Sequence, residues 1–475
     1  MEWLMLRGMV GMGHLKRDIA VLIVKLGNVA LITLPFLVVW FHFYADRTAS
    51  PFYYWGNWIV VALFLALYVT FGRVYDGFQI ATSRISEMVY SQVLAFSISI
   101  CILYAVTCLL SKRLANLFPY LAALLAQGIL SAGWSYFAHR WFFSHFPAKK
   151  TAVIYDVRQG LEQLVKEYGL EKRFDVQIAM PVRQALVNKS LLDQVETVFL
   201  SGIHSHDRNI LLKYCVEHDI TVYVIPRIGD VLMSGAHAMH LFHLPMLRVG
   251  RYRPSPVYLL LKRGFDILAC GLATVILSPV FIGTAIAIKA NDHGPVFYKQ
   301  KRLTKDGNVF EVLKFRSMRV DAEKDGVARL STGDNDDRIT SVGKVIRKVR
   351  IDELPQLLNI LKGDMTICGP RPERPEIAEQ YEQELPEFRL RLQAKAGLTG
   401  YAQVYGKYNT TPYDKLMMDL MYIAHPSFLQ DLQIMFATVK ILFMKESTEG
   451  FAQETPPQES GAAKKVDEGK MEKSA

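Results

Sequence analysis

Between Arg347 and Pro372 the chain reads RKVRIDELPQLLNILKGDMTICGPRP, which sets two adjacent carboxylates, Asp352 and Glu353, among Arg347, Arg350 and Arg371. A carboxylate is a competent nucleophile toward phosphorus. The phosphate it attacks is itself anionic, so cations or a metal must admit the attacker and carry the charge of the leaving group. Mg²⁺ suits such a place, because it takes only one or two carboxylates and completes its octahedron with phosphate oxygens and water. Asp352 and Glu353 are therefore candidates both for catalysis and for metal ligation, one attacking while its neighbour holds the metal or moves a proton. Read alone, the same pair is a helix start, with acids and an early proline ahead of LLNIL.

Other clusters change that balance. Lys299-Gln300-Lys301-Arg302 and the string Lys314-Phe315-Arg316-Ser317-Met318 come first, then Asp334-Asn335-Asp336-Asp337-Arg338-Ile339-Thr340 running into Gly343 and Arg347, then Gly369-Pro370-Arg371-Pro372. Singly they read as a basic strand, a solvated loop and a rigid turn. Together and in this order they frame a site for a phosphorylated substrate.

The elements that must position these residues begin with a broken apolar segment. Lys262-Arg263-Gly264-Phe265-Asp266 leads into ILACGLATVILSPVFIGTAIAIKA, long enough to cross a bilayer. Both flanks are basic, which is the cytosolic signature, so a full crossing conflicts with the charges. Pro279 lacks an N–H and clashes with the carbonyl four residues back, at Val275, while Ser278 can return a hydrogen bond to the freed backbone. The expectation is a re-entrant helix over 264–289, broken at Ser278 and Pro279.

Over the whole 475 residues, 51% are hydrophobic and the formal net charge is +10, which favours anionic partners such as lipid headgroups or phosphorylated substrates. No recognition-helix or zinc-finger pattern supports nucleic acid. The five cysteines show neither CxxC pairing nor metal-ligand spacing, as fits reduced, cytosol-facing domains. Four runs, roughly 19–43, 57–72, 88–110 and 115–138, read as transmembrane helices in a region 1–147. Arg7, Lys16, Arg17, Arg73, Arg84, Arg140, Lys149 and Lys150 outweigh Lys112 and Arg113, placing the N-terminus and everything after the fourth helix in the cytosol.

Residues 148–250 read as a small Rossmann-like α/β unit, with TAVIYDV, VETVFLS and ITVYVIP as strands and GLEQLVKEYGL as a helix between them. The turn after its first strand, Tyr155 to Gly160, holds one glycine and lacks the bare backbone that a dinucleotide's phosphates need. A structural or regulatory module is expected. Arg251 to Pro256 is a linker, 257–445 the mainly helical catalytic domain with interfacial amphipathic helices, and 446–475 a polar, disordered tail.

The strings KRGFDI, LSPVF, KFRSM, DDRIT, RIDELPQLLN, LKGDM, GPRP and GLTGYAQVYG, with Asp419, Tyr422, Ser427 and Asp431 near the end, resemble the polyisoprenyl-phosphate hexose-1-phosphate transferases, the monotopic phosphoglycosyl transferases. The resemblance covers about 257–445; the preceding helices and α/β unit resemble the long-form members in architecture only. It implies a two-step reaction in which Asp352 takes a phosphosugar from a nucleotide diphosphosugar, with UDP-hexose expected, and passes it to undecaprenyl phosphate. It further implies Mg²⁺, a Glu353 acting as metal ligand or base, phosphate contacts from Lys314, Arg347 and Arg371, and a weaker active-site role for Gln403. The location implied is the bacterial inner membrane, multi-pass with the catalytic domain in the cytosol, and the product would start exopolysaccharide, capsule or O-antigen synthesis. A homodimer is compatible with it. Two other readings stand beside it: a metal-dependent glycosyltransferase built on Asp334 and Asp336, and a non-enzymatic scaffold for polysaccharide assembly. No GxxxxGK[ST] phosphate loop is present to support a kinase-like role.

Overall fold

Four helices long and apolar enough to cross a membrane lead the chain in the computed structural model: α1 (Glu2–Val39), α2 (Gly56–Val74), α3 (Ile85–Ser111) and α4 (Phe118–His145). The structure describes residues 2–442 except 53–54, 82, 158–159, 168, 320–337 and 407–409. Asp334, Asp336 and the tail from 446 onward therefore lie outside the described residues.

Each helix runs beyond its apolar stretch at one end or both, the first from Glu2 and the fourth to His145. Helix α4 continues through Tyr136-Phe137 and Trp141-Phe142-Phe143, whose rings supply an apolar face despite His139 and Arg140. The bundle packs Ile32, Phe36, Trp40, Phe64, Tyr68, Phe96 and Tyr120 inward, while Leu22, Ile23, Leu26, Leu125 and Ile129 stay exposed on its outside. Several polar groups inside pair with one another, as hydrocarbon favours, while Ser91 Oγ and Ser135 Oγ are buried without a partner among the described residues. Gln92 Oε1 accepts from Asn28 Nδ2 (3.2 Å) and Ser131 Oγ (2.7 Å), and Tyr68 donates to Asn28 Oδ1 (2.8 Å).

A four-stranded parallel sheet follows, with β1 (Lys149–Tyr155), β2 (Phe174–Pro181), β3 (Thr197–Ser201) and β4 (Thr221–Val224) in the order β2-β1-β3-β4. Its helices are α5 (Leu161–Glu167), α6 (Val182–Val187) and α7 (Ser205–Glu217). Strand β2 is an addition to the three read from sequence, although F-D-V-Q-I-A-M alternates with the two-residue period of a half-buried strand. Helix α8 (Ile228–Ser234) and an exposed hairpin of β5 (His237–Leu241) and β6 (Leu244–Arg248) complete this region.

The next helix is interrupted. Helix α9 (Pro256–Ile276) and α10 (Ser278–Asp292) meet at a 60° bend. Pro279 sits in the first turn of α10, and Ser278 Oγ donates to the Val275 carbonyl at 2.8 Å, the acceptor that the proline leaves without its helical partner. Leu260, Leu268, Leu272, Val275, Ile282 and Ile286 are exposed along the pair.

Antiparallel β7 (Phe297–Leu303) and β8 (Val309–Phe315) then lead to α11 (Ser341–Lys348), α12 (Gln356–Lys362), β9 (Thr366–Cys368), α13 (Pro375–Glu384), β10 (Gly397–Thr399), α14 (Tyr401–Tyr405), α15 (Pro412–Ala424) and α16 (Phe428–Leu442). Strands β9 and β10 pair in parallel. Three glycines allow their backbones to touch: a Cβ on Gly369 would lie 2.3 Å from the Lys395 carbonyl oxygen, one on Gly397 2.2 Å from the Gly369 nitrogen, and one on Gly400 2.2 Å from the Gly369 carbonyl oxygen. Phe436 of α16 sets its ring edge-on to Phe71 and Tyr75, joining this region to the membrane bundle.

Candidate active site

Four short pieces of chain converge on Asp352 and Glu353. Both lie in a single 3₁₀ turn, Ile351–Glu353, which follows α11 directly. Arg350 makes the reversal between them with φ 54°, a left-handed conformation that is uncommon outside glycine. The start of α11 is fixed by Thr340, whose Oγ1 accepts from Gly343 N (2.9 Å) while its own N–H donates to the Ser317 carbonyl (3.0 Å). Gly343 is required there, since a Cβ would lie 1.9 Å from the Ser317 oxygen. The DDRIT and KFRSM strings thus meet through backbone groups.

Strand β8 is tied to α12 by one side chain. Buried Asn359 accepts from Leu313 N (2.9 Å) and donates to the Glu311 carbonyl (2.7 Å), flanking the position that presents Lys314. Lys314 Nζ then reaches Glu353 Oε1 at 3.1 Å, and Arg371 Nη2 approaches the same oxygen at 3.4 Å. Helix α10 packs beneath, where Phe281 and Ile288 join Phe315, Ile346, Ile351 and Leu354.

The two carboxylates are in unequal surroundings. Burial pushes the Asp352 carboxyl above its ordinary range and the Glu353 charge pushes it further, against Lys314 and Arg347. Burial acts in the same direction on Glu353, yet Lys314 and Arg371 overcome it and hold that group far below the usual carboxylate range. Among the described residues Asp352 has no ion pair within 4 Å. Arg347, on the last turn of α11, has its Nη1 buried with no hydrogen-bond partner. A buried guanidinium N–H left unpaired is costly, and it lies in the electrostatic reach of Asp352.

Of the residues singled out from sequence, Asp352, Glu353, Lys314, Arg347 and Arg371 come together. Gln403 makes no hydrogen bond to them among the described residues: its Nε2 approaches the Leu398 carbonyl at 3.4 Å and its Oε1 is buried without a partner. Ser278 and Pro279 lie at the helix bend rather than beside the carboxylates.

These residues lie within 257–445, the stretch matched by the family described as bacterial sugar transferase. A UDP-N-acetylgalactosamine-undecaprenyl-phosphate N-acetylgalactosaminephosphotransferase of Aeromonas hydrophila is 39% identical over 234 residues, 49% of this chain and 54% of that protein. A UDP-glucose:undecaprenyl-phosphate glucose-1-phosphate transferase of Escherichia coli is 34% identical over 296 residues, 61% of this chain and 59% of the relative. Another protein of that name, from Caulobacter vibrioides, is 39% identical over 206 residues, 42% of this chain and 76% of the relative. The chain belongs to the bacterial sugar transferase family. It spans little more than half the length of the first two relatives.

Within this bacterial sugar transferase several residues that hold the site entered the sequence reading only as letters of matching strings or flanks, with no role of their own. Asp431 accepts from Tyr258 OH (2.8 Å), Lys262 Nζ (2.7 Å) and Tyr422 OH (2.7 Å), fastening the basic start of α9 to α15 and α16. Arg263 donates to the carbonyls of Ile360 (2.6 Å) and Leu361 (2.8 Å), capping α12, as a cation at a helix C-terminus should. Asp266 accepts from Thr366 Oγ1 at 2.6 Å. The polar letters of KRGFDI, set inside an apolar run, were the available signal.

Proposed function

We propose that this protein transfers a sugar-1-phosphate from a UDP-hexose to undecaprenyl phosphate at the cytoplasmic face of the bacterial inner membrane, starting exopolysaccharide, capsule or O-antigen synthesis. The observation that carries the reading is the mismatch at the carboxylates: Glu353 is paired with Lys314 and Arg371, while among the described residues Asp352 has no ion pair and Arg347, within its electrostatic reach, keeps a buried N–H without a partner. Such an arrangement suits a nucleophile set beside cationic donors for a phosphate.

In the first step a carboxylate oxygen of Asp352 bonds to the β-phosphorus of the donor. The bond from that phosphorus to the bridging oxygen breaks, and UMP leaves with the electron pair. An oxygen of undecaprenyl phosphate then attacks the same phosphorus and releases the Asp352 carboxylate. Arg347 and Arg371 bind phosphate oxygens in both steps. Lys314 keeps Glu353 ionised and oriented.

The donor set fits Mg²⁺ by its chemistry. The hydrogen bonds from both cations go to Oε1 of Glu353, which leaves Oε2 without a hydrogen bond among the described residues, and Asp352 lies next to it in the chain. Two carboxylates with phosphate oxygens and water make an Mg²⁺ site. Bound there, the ion would neutralise charge on the diphosphate.

The bent α9–α10 pair, apolar outside and carrying Lys262, Arg263 and Lys289 toward its ends, supports a re-entrant path that enters and leaves the cytoplasmic leaflet. The hairpin of β5 and β6, exposed along both strands, leaves a surface for a homodimer. Relatives that differ in their named sugar leave the hexose open.

The test supplies purified protein with UDP-sugars, undecaprenyl phosphate and Mg²⁺. Release of UMP with a lipid-linked diphosphosugar is expected, and mass spectrometry of trapped enzyme should place hexose-phosphate on Asp352. Release of UDP would replace this reading with the glycosyltransferase one, and inertness across many donors with the scaffold one.

A further inference from the structure

Arg371 needs a fixed backbone if its guanidinium is to meet both Glu353 and a phosphate. Its carbonyl oxygen accepts from Arg391 Nη2 at 2.9 Å. Arg391 lies in the 3₁₀ segment Pro386–Gln393, and its side chain is 2% exposed. Its Nε donates to Asp419 Oδ2 at 2.8 Å and Nη2 stands 2.6 Å from the same oxygen, while Nη1 reaches Glu373 Oε1 at 3.4 Å. Lys415 Nζ donates to that Glu373 oxygen at 2.9 Å. Arg302 completes the frame, giving Nη1 to the Pro372 carbonyl at 2.9 Å. The Gly369-Pro370-Arg371-Pro372-Glu373 turn is therefore gripped at Arg371, Pro372 and Glu373 by residues far away in the chain.

We infer that Arg391, held by Asp419 of α15, is a positioning residue for phosphoryl transfer, acting through Arg371. It touches no reacting atom. A planar guanidinium can serve Asp419, Glu373 and the Arg371 carbonyl at once, which a lysine at this position cannot do. Loss of that grip lets the turn relax, so Arg371 reaches the transferring phosphate out of register. Displacements of this size cost about 10²-fold in rate. The inference rests on the reading of Arg371 as a phosphate contact.

A double-mutant cycle on the full-length protein in lipid nanodiscs tests it, with Arg391→Lys, Arg371→Ala and the pair compared by radiolabelled lipid product. Arg391→Lys alone is expected to lower kcat by about 10²-fold with a smaller change in the KM for the donor. In the Arg371→Ala background the same change should cost no more than about 2-fold, because the residue it serves is gone. An equal loss in both backgrounds overturns the inference while leaving the reading of Arg371 intact. So does full activity of Arg391→Lys. If Arg371→Ala alone loses nothing, the phosphate reading of Arg371 fails, and this inference with it. Melting temperatures are recorded for every variant. Should Arg391→Lys not fold, Asp419→Asn, which keeps the shape and removes the charge, takes its place in the cycle with the same expected outcome.

Discussion

Two buried acid–cation clusters lie on either side of Arg371, and they are built on opposite principles. Around Arg391 all three guanidinium nitrogens have acceptors, and Asp419 and Glu373 are each met by cations. Around Asp352 the cluster is open among the described residues, with a carboxylate that has no ion pair there and a buried Arg347 N–H that has no acceptor. A closed cluster fixes geometry, since every group would lose a partner by moving. An open one is left for a ligand to complete, because the unpaired groups otherwise carry an uncompensated desolvation cost. Arg371 belongs to both, its carbonyl in the closed cluster and its guanidinium in the open one.

The largest effect that separates the two comes from Asp352→Asn. It keeps shape and removes the proposed nucleophile, so turnover should fall by at least about 10³-fold, with melting temperature and membrane insertion unchanged. A variant that keeps a tenth of the wild-type rate would move the nucleophile elsewhere.

Glu353→Gln comes next. It removes the acid that Lys314 and Arg371 share, and the rate should fall by about 10²-fold. It also removes a negative charge that raises Asp352, so the Asp352 carboxyl should ionise at lower pH and the acid limb of the pH–rate profile should move down. An unmoved limb would mean that Asp352 is not the group being titrated. Stability gives a second sign. Glu353 is held below its ordinary value of 4.5, so its ion pairs stabilise the fold above that pH and are lost as pH falls through the folded value. Acid unfolding should therefore be shallower in Glu353→Gln than in the wild type, which denaturant titrations from pH 6 downward would measure.

How much of this was readable in advance follows from the range of each interaction. The open cluster was legible because its residues are crowded into one string, with Lys314 alone coming from a distance. The apolar helices and three of the four sheet strands were legible from period and length. The closed cluster was not. Arg391 and Asp419 lie 28 positions apart; Asp419 was visible only as a matching letter and Arg391 was not singled out, and nothing local says that they are buried together. Asp431 was visible only as a matching letter, and its three donors come from α9 and α15. Long-range burial, which decides whether a charge is surface or core, leaves the weakest trace in a single sequence.

The bend between α9 and α10 sets where the open cluster sits, and Pro279→Ala probes it. Alanine restores the N–H and removes the clash at Val275, so a straighter helix is favoured. Straightening would draw Phe281 and Ile288 away from Ile346, Ile351 and Leu354, which underlie the Asp352 turn. The rate should fall by about 10-fold, with cysteine-accessibility labelling at both ends of the pair reporting the change in path. Unchanged labelling together with a full rate would show that the bend is held by Ser278 and the surrounding packing, without the proline.

The smallest effect tests whether the closed cluster is insulated from the neighbouring α/β unit. Helix α15 carries Lys415 and Asp419 on one side, and its far end receives the C-terminus of α8. Val231 is buried in the same core as Leu416 and Leu420, and a Cβ on Gly235 would lie 2.9 Å from the Ala424 carbonyl oxygen. Gly235→Ala must push that carbonyl back by a few tenths of an ångström, at a cost of about 1 kcal/mol. Because Asp419 is gripped by Arg391 more than a helical turn away from Ala424, the closed cluster should absorb the shift. The expected result is a melting temperature lower by about 2 °C and a kcat within about 2-fold of wild type. A larger loss of kcat at the same stability would mean that α15 transmits the displacement to Arg371, and that docking of the α/β unit regulates the site.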